Sequence, residues 1–100
     1  MSERIYSRGE LTAMILPLLE KYHARRAILF GSYARNEATA GSDIDLVVIG
    51  GDSFDPTDVF CIAEELCAAA GKPVDVYELR EINAGTQLYH TILNEGVGIA

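Results

Sequence analysis

The stretch LFGSYARNEATAGSDIDLVV, residues 29–48, decides the fold of this 100-residue chain. Apolar runs stand at both of its ends, and the β-branched content of Asp43–Ile49 is typical of a buried strand. A second strand is predicted at Ala27–Phe30. The polar segment between the two strands opens with Tyr33–Arg35, for which we predict a short helix. The central unit is therefore strand, short helix, strand.

An amphipathic helix is predicted upstream of this unit. Its apolar residues recur at helical spacing: Leu11, Met14, Ile15, Leu18 and Leu19. Pro17 lies inside the pattern, where it removes a backbone donor and clashes with the preceding turn. We therefore expect a kink at Pro17, or a helix that begins near it.

A second amphipathic helix is predicted downstream. Asp55 is a candidate N-cap, with Pro56 at the first helical position. Gly71 supplies a left-handed C-terminal residue, and Pro73 prevents continuation of the helix.

The last quarter of the chain predicts a strand at Val74–Tyr77 and a helix from Ile82 to Glu95 that stops at Gly96. Val97–Ala100 is an additional edge strand or a tail. The order α-β-α-β-α-β-α predicts an α/β fold of α+β two-layer type, with a small mixed sheet of three or four strands flanked by helices. The length predicts a single domain over residues 1–100.

Charge and hydropathy narrow the function classes. The chain has eight Lys and Arg against fifteen Asp and Glu, a net charge of −7, which is the wrong sign for neutralising phosphates, so a nucleic-acid partner is not expected. No apolar run approaches the roughly 18–20 residues of a membrane span. The N-terminus lacks a signal-peptide pattern, which predicts a cytoplasmic protein.

Three carboxylates stand where the hydrophobic pattern makes them costly. Asp43 and Asp45 open an apolar strand, and the strand period of two places both side chains on one face. Asp75 lies between two valines and can join them if the two strands are neighbours. Clustered carboxylates raise each other's pKa unless a cation neutralises them. Hard oxygen ligands at this density suit magnesium or manganese.

The passage from the first strand into Gly31-Ser32 predicts an anion site. Glycine lets backbone approach a ligand closely, and amides at a helix N-terminus attract phosphate oxygens. Beside a metal held by aspartates, this suits a nucleoside triphosphate bridged by two ions about 3.5–4 Å apart. The chain lacks the G-x-x-x-x-G-K-[ST] pattern, which excludes the P-loop class.

Gly31-Ser32, ten further residues and Asp43-Ile44-Asp45 form a G-S-x10-D-x-D pattern that resembles the DNA polymerase beta superfamily of nucleotidyltransferases, in particular the minimal nucleotidyltransferases. The resemblance implies that Asp43 and Asp45 bind two Mg²⁺ ions. It implies that Asp75 is the third carboxylate, which helps to ligate the catalytic ion and deprotonates the acceptor hydroxyl. Gly31 and Ser32 would hold the β and γ phosphates of ATP.

The resemblance also implies a partner. Similar proteins are antitoxins that silence a HEPN-domain toxin by transferring AMP from ATP to a toxin tyrosine, which implies a hetero-oligomer with the toxin. Relatives that act on aminoglycosides or RNA carry additional acceptor domains, so we expect a partner protein to supply the acceptor surface here. Two departures from the pattern stand out. Asn36 replaces a frequent glycine, and the tail after Glu95 lacks a closing tyrosine.

Several alternatives remain open at the level of sequence. Arg35 either reaches the triphosphate or forms a salt bridge with Glu37. Ser42 is either a turn residue or a nucleotide contact. The competing functions are a catalytically dispensable antitoxin that neutralises its toxin by binding alone, and nucleotidyl transfer to a small-molecule hydroxyl.

Overall fold

A four-stranded mixed sheet carries three helices in the computed structural model, which describes residues 4–99. In chain order the elements are α1 (Arg8–Lys21), β1 (Arg26–Phe30), β2 (Ile44–Ile49), α2 (Asp58–Ala70), β3 (Val74–Glu78), a 3₁₀ turn (Leu79–Glu81), α3 (Gln87–Glu95) and β4 (Val97–Gly98). Within the described range, none of the helices combines the length and apolar character that crossing a membrane would require. The predicted α+β class with a small mixed sheet is confirmed.

The strands lie in the order β3-β2-β1-β4. β1 is antiparallel to both β2 and β4, whereas β2 and β3 run parallel, which makes Asp45 the register partner of Asp75. The tail forms an edge strand, which confirms one of the two alternatives predicted for it. The Ile99 amide extends the pairing by donating to the Ala27 carbonyl at 2.9 Å. Ala100 lies outside the described residues.

The two faces of the sheet carry unequal cores. Helices α1 and α2 cover one face, where a large buried cluster includes Leu11, Ile15, Leu29, Leu46, Val48, Ile62 and Leu66. On the other face, fully or nearly buried apolar side chains form a small cluster of Phe30, Val47 and Ile92, the last contributed by α3. The alternation along β2 follows the strand period, because its even and odd positions belong to different clusters.

Helix α1 begins well before Pro17, so a helix starting near that residue is a wrong prediction. Ser7 caps it in a reciprocal capping box, in which the Glu10 amide donates to the Ser7 hydroxyl at 3.1 Å and the Ser7 amide donates to the Glu10 carboxylate at 3.0 Å. Pro17 and Ala13, whose carbonyl loses its helical partner, are both exposed. Water can satisfy that carbonyl, so the helix tolerates the proline.

The short helix predicted at Tyr33–Arg35 does not form; the segment is a run of turns. The Gly31 carbonyl accepts an amide four residues on, but Asn36 adopts a left-handed φ of +59° and stops the helical path. The Glu37 amide then donates back to the Ser32 carbonyl at 2.9 Å, a closing bond typical of a helix C-terminus. One turn is therefore capped before a second can follow, and Asn36 does supply the geometry of a glycine.

The start of α2 differs from the prediction. The helix begins at Asp58 with Thr57 as the N-cap residue, two positions after the predicted cap. The Asp55 carboxylate accepts the Thr57 amide at 3.0 Å and its hydroxyl at 2.8 Å. Asp55 and Pro56 thus form a tight turn that leads into the helix. The predicted end is confirmed, because Gly71 has a φ of +68°.

The last helix is shorter than predicted. It starts at Gln87, where the Thr86 hydroxyl accepts the Tyr89 amide at 3.3 Å, rather than at Ile82. Before it, Asn83 holds a turn by accepting the Gly85 amide on its side chain at 2.9 Å. Side-chain to backbone bonds of asparagine compete with helix formation, which is why the apolar periodicity overran the true start. The predicted stop at Gly96 is confirmed.

Candidate active site

Asp45 and Asp75 lie side by side at the same end of the sheet. They are register partners on the parallel strands β2 and β3, which lie about 4.7–4.9 Å apart, and partners in register share one face. Asp43 precedes β2 by one residue, and its spacing of two from Asp45 carries it toward the same side. Asp43 and Asp75 are exposed, whereas Asp45 is half-buried. The structure therefore pairs Asp45 with Asp75 and places Asp43 near enough for its charge to act on Asp45.

Asp43, Asp45 and Asp75 form a trio of carboxylates, and the negative charges of Asp75 and Asp43 act on Asp45. Partial burial raises the pKa of Asp45 to about 6, with further contributions from the negative charges of Asp75 and then Asp43. Arg35 acts in the opposite sense and lowers it. A carboxylate that is costly to ionise beside two others is arranged for a positively charged ligand.

Gly31 is fitted closely against Asp45. It follows β1 with a φ of +73°, and a Cβ atom placed on it would lie 2.5 Å from Asp45 Oδ2. No other residue type can occupy this position without moving the carboxylate, and a positive φ adds backbone strain for any side chain. The turn that the sequence predicted to hold phosphate is thus in contact with the central carboxylate.

Ser32 lies at the start of the same turn and is half-buried. The hydrogen bonds that close the turn use the amides of residues 34–37. The amides of Ser32 and Tyr33 take no part in those bonds. Two amides at the start of a turn, beside a carboxylate cluster, suit the oxygens of a metal-bound phosphate.

Arg35 and Ser42 are both engaged with protein groups. The Arg35 guanidinium forms ion pairs with Glu95 at 3.1 Å and Glu37 at 3.4 Å, which realises the salt-bridge alternative while leaving Arg35 close enough to act on Asp45. The Ser42 hydroxyl accepts the Thr39 amide at 2.8 Å. Ser42 therefore has the role of a turn residue in this structure.

Sequence reasoning missed the burial of Lys72 and the closeness of Tyr77 to Asp75 and Asp45. Lys72 is only 2% exposed, and its ammonium donates to the Ala40 carbonyl at 2.6 Å. A lysine between Gly71 and Pro73 has the pattern of an exposed turn, so no signal pointed to its burial. Tyr77 follows Asp75 by one strand period. Burial and the charges of Asp75 and Asp45 raise the pKa of its phenol, and that spacing was the available signal.

The trio fits divalent metal ions in its chemistry. Within residues 4–99, no three acidic, histidine or cysteine side chains already converge as a preformed metal site. All three donors are nevertheless carboxylates, the ligands that Mg²⁺ prefers. Burial, with the added negative charges of Asp75 and Asp43, makes the ionised form of Asp45 costly, and a divalent ion would offset that cost. Asp43 and Asp75, being exposed, have the freedom to change rotamer on binding it.

The chain is similar to known nucleotidyltransferases over most of its length. A protein of Methanocaldococcus jannaschii named "Putative protein adenylyltransferase MJ0435" is 40% identical over 91 residues, which cover 91% of this chain and 96% of that protein. The protein adenylyltransferase MntA of Shewanella oneidensis is 34% identical over 68 residues, which cover 68% of this chain and 48% of MntA.

Solved structures agree with this similarity. A toxin-antitoxin crystal structure with AMP-PNP matches with a TM-score of 0.77 and 26% identity, over 89% of this chain and 72% of that one. Residues 14–100 match the family model described as "Polymerase beta, Nucleotidyltransferase", a span that contains all the carboxylates of the trio. The chain therefore belongs to the polymerase beta nucleotidyltransferase family.

Proposed function

We propose that this chain is an antitoxin that transfers AMP from ATP to a tyrosine hydroxyl of a HEPN-domain toxin, with Mg²⁺ as the required ion. The observation that carries the proposal is the pairing of Asp45 with Asp75 across two parallel strands, with the Gly31 turn pressed against Asp45. This arrangement joins a carboxylate cluster to a phosphate-binding turn, which is what transfer of a nucleotidyl group requires.

The triphosphate would lie between the turn and the trio. The Ser32 and Tyr33 amides would donate to the β and γ phosphate oxygens, and Gly31 leaves room for them beside Asp45. Arg35, held by Glu95 and Glu37, contributes positive charge at the edge of the same site. The α phosphorus would then face the carboxylates.

Asp43 and Asp45 would hold two Mg²⁺ ions, with Asp75 as a third ligand to one of them. The ions supply charge neutralisation of the phosphates and orientation of the reacting oxygens. Asp75 accepts the proton of the acceptor hydroxyl. The hydroxyl oxygen forms a bond to the α phosphorus, the bond from that phosphorus to the bridging oxygen breaks, and pyrophosphate leaves.

The choice of a toxin as the acceptor rests on relatives. Two of the proteins similar to this chain are named protein adenylyltransferases, and a matching solved structure is a toxin-antitoxin complex with an ATP analogue. Asp75 is exposed on β3, the strand at one edge of the described sheet, and this supports the approach of a second protein. A cytoplasmic location and a hetero-oligomer with the toxin belong to the same proposal.

The experiment is an incubation of the chain with a HEPN-domain toxin partner, ATP and Mg²⁺, followed by intact-mass and peptide mass spectrometry. We expect the toxin to gain the mass of AMP on a tyrosine. Asp43→Asn should abolish the gain, whereas Asp52→Asn, at an exposed acid in the loop after β2, should preserve it. No gain with any nucleoside triphosphate would contradict the proposal.

The same variants separate the competing functions. If neutralisation of the toxin requires AMP transfer, Asp45→Asn releases toxicity in cells while the complex still assembles. Neutralisation that survives in Asp45→Asn would instead support an antitoxin that acts by binding alone. Transfer to a small-molecule hydroxyl predicts labelled product in a screen of candidate acceptors without the toxin.

A further inference from the structure

The buried Lys72, two residues before β3, has no role in the chemistry proposed above. Lys72 is one of the largest side chains that the described structure buries fully, with 2% of its surface exposed. Placing an ammonium in a protein interior is costly unless it is hydrogen-bonded. Its bond to the Ala40 carbonyl is charge-assisted and 2.6 Å long. An apolar side chain would fill the same space without that cost, so the ammonium itself calls for an explanation.

The carbonyl that Lys72 holds belongs to the loop that presents Asp43. Residues 37–43 join the Gly31 turn to β2, and all of them are exposed or half-buried. At Gly41, an added Cβ atom would meet nothing within 4 Å, so the middle of the loop has open space around it. Ala38 packs against the large core cluster, and the bond from Lys72 ties the loop to the interior again at Ala40, three residues before Asp43.

A second bond between the same two segments completes a bracket around Asp43. The Ile44 amide donates to the Pro73 carbonyl at 3.0 Å. The loop is thus fixed to residues 72–73 on both sides of Asp43, through Ala40 before it and Ile44 after it. Asp75 follows the anchoring pair by two residues. One short segment therefore sets the position of Asp43 relative to Asp75.

We propose that Lys72 is a positioning residue, whose buried ammonium fixes the Ala40 carbonyl so that Asp43 stands ready to bind metal with Asp45 and Asp75. The inference rests on the proposed function for the identity of the ligand. It deepens that function by assigning the preorganisation of one metal ligand to a side chain that touches neither metal nor nucleotide. Groups of this kind typically change metal affinity by about 10- to 100-fold when removed.

The test compares Lys72→Met, which keeps the length and removes the donor, with Lys72→Arg, which keeps a charged donor. The matched control is Lys21→Met, at an exposed lysine paired with Glu65 between α1 and α2. Two readouts need no acceptor protein: the Mn²⁺ concentration that half-saturates the chain in a calorimetric titration, and hydrogen exchange of the amides at residues 40–44.

We expect Lys72→Met to raise the half-saturating Mn²⁺ concentration about tenfold and to accelerate exchange in the loop. Lys72→Arg should recover most of the metal affinity, and Lys21→Met should match the wild-type chain. Unchanged metal affinity and unchanged exchange in Lys72→Met would overturn the inference. A variant that is merely destabilised melts earlier but keeps its half-saturating concentration, which also overturns it.

If Lys72→Met fails to fold, Lys72→Gln is measured under the same criteria. The two proposals fail separately. If Lys72→Met weakens Mn²⁺ binding as predicted but the wild-type chain never transfers AMP, the proposed function is contradicted and the positioning role stands. A chain that transfers AMP with equal metal dependence in Lys72→Met contradicts the positioning role alone.

Discussion

The two faces of the sheet differ in how much apolar surface they bury. The face under α1 and α2 buries the larger cluster, to which β2 contributes Ile44, Leu46 and Val48. The opposite face carries Phe30 and Val47 under α3, and the same alternation places Asp45 at its end. A strand with one fully packed face can tolerate a costly carboxylate on the other. The fold is therefore stabilised mainly on one side and exposes its charges on the other.

The largest expected effect is at the glycine that faces Asp45. Gly31→Ala should lower AMP transfer by at least about 100-fold, because displacement of reacting groups by about 1 Å can have an effect of that size. The added methyl collides with Asp45 Oδ2, and its backbone φ is positive. Gly41→Ala is the control, since open space surrounds it. Equal rates of AMP transfer to a toxin partner by Gly31→Ala and Gly41→Ala would contradict a special role for the close fit of Gly31 against Asp45.

Core substitutions on the two faces should differ in stability. Leu66→Ala, under the large cluster, should lower the free energy of unfolding by about 3–5 kcal/mol, the upper part of the range for such changes. Ile92→Ala should lower it by about 2 kcal/mol. Ile92 lines a surface groove with Leu93 and Gly96, so its surroundings can relax. Urea denaturation followed by circular dichroism measures both. An Ile92→Ala effect larger than that of Leu66→Ala would reverse the comparison.

A smaller effect concerns protons and metal at Asp45, whose pKa is raised to about 6. Metal binding requires the carboxylate form, so protons compete with the ion below that pH. The Mg²⁺ concentration that half-saturates the chain in a calorimetric titration should increase about fivefold from pH 6 to pH 5, and change little from pH 7 to pH 8. A dependence that is flat down to pH 5 would contradict the raised pKa.

The smallest effect is on the stability of the metal-free chain. The folded pKa of Asp45 exceeds its usual value, so the folded state holds more protons than the unfolded state between about pH 4 and 6. The contribution of Asp45 to stability should therefore fall as the pH rises through that window. At pH 7.5, Asp45→Asn should raise Tm by about 2–5 °C, and the gain should shrink toward pH 4. A lower Tm in Asp45→Asn at pH 7.5 would contradict the conclusion that burial and the charges of Asp75 and Asp43 make ionised Asp45 destabilising.

Strong local signals explain what could be predicted from the sequence. The apolar run of residues 27–30 located β1, the β-branched content of residues 43–49 located β2, and Gly71 with Pro73 located the end of α2. The strand period placed Asp43 and Asp45 on one face. Asp75 required only the assumption that its strand lies next to β2, which the structure shows.

The errors arose where side chains compete with the backbone or where burial depends on distant residues. The side chains of Asp55 and Asn83 accept hydrogen bonds from nearby amides, so α2 and α3 begin later in the chain than predicted. Left-handed Asn36 stopped the predicted short helix from forming beyond a single turn. The burial of Lys72 depends on a carbonyl 32 residues away, and no periodicity encodes that contact.

The most direct test of the account is calorimetric titration of AMP-PNP into the wild-type chain and Asp45→Asn, each with Mg²⁺ and with EDTA. We expect the wild-type chain to bind AMP-PNP only when Mg²⁺ is present. We expect Asp45→Asn to bind it with an affinity at least about tenfold weaker. Asp52→Asn should bind as the wild type does. Equal binding by wild type and Asp45→Asn, with or without Mg²⁺, would contradict the claim that these carboxylates gather metal around a nucleotide.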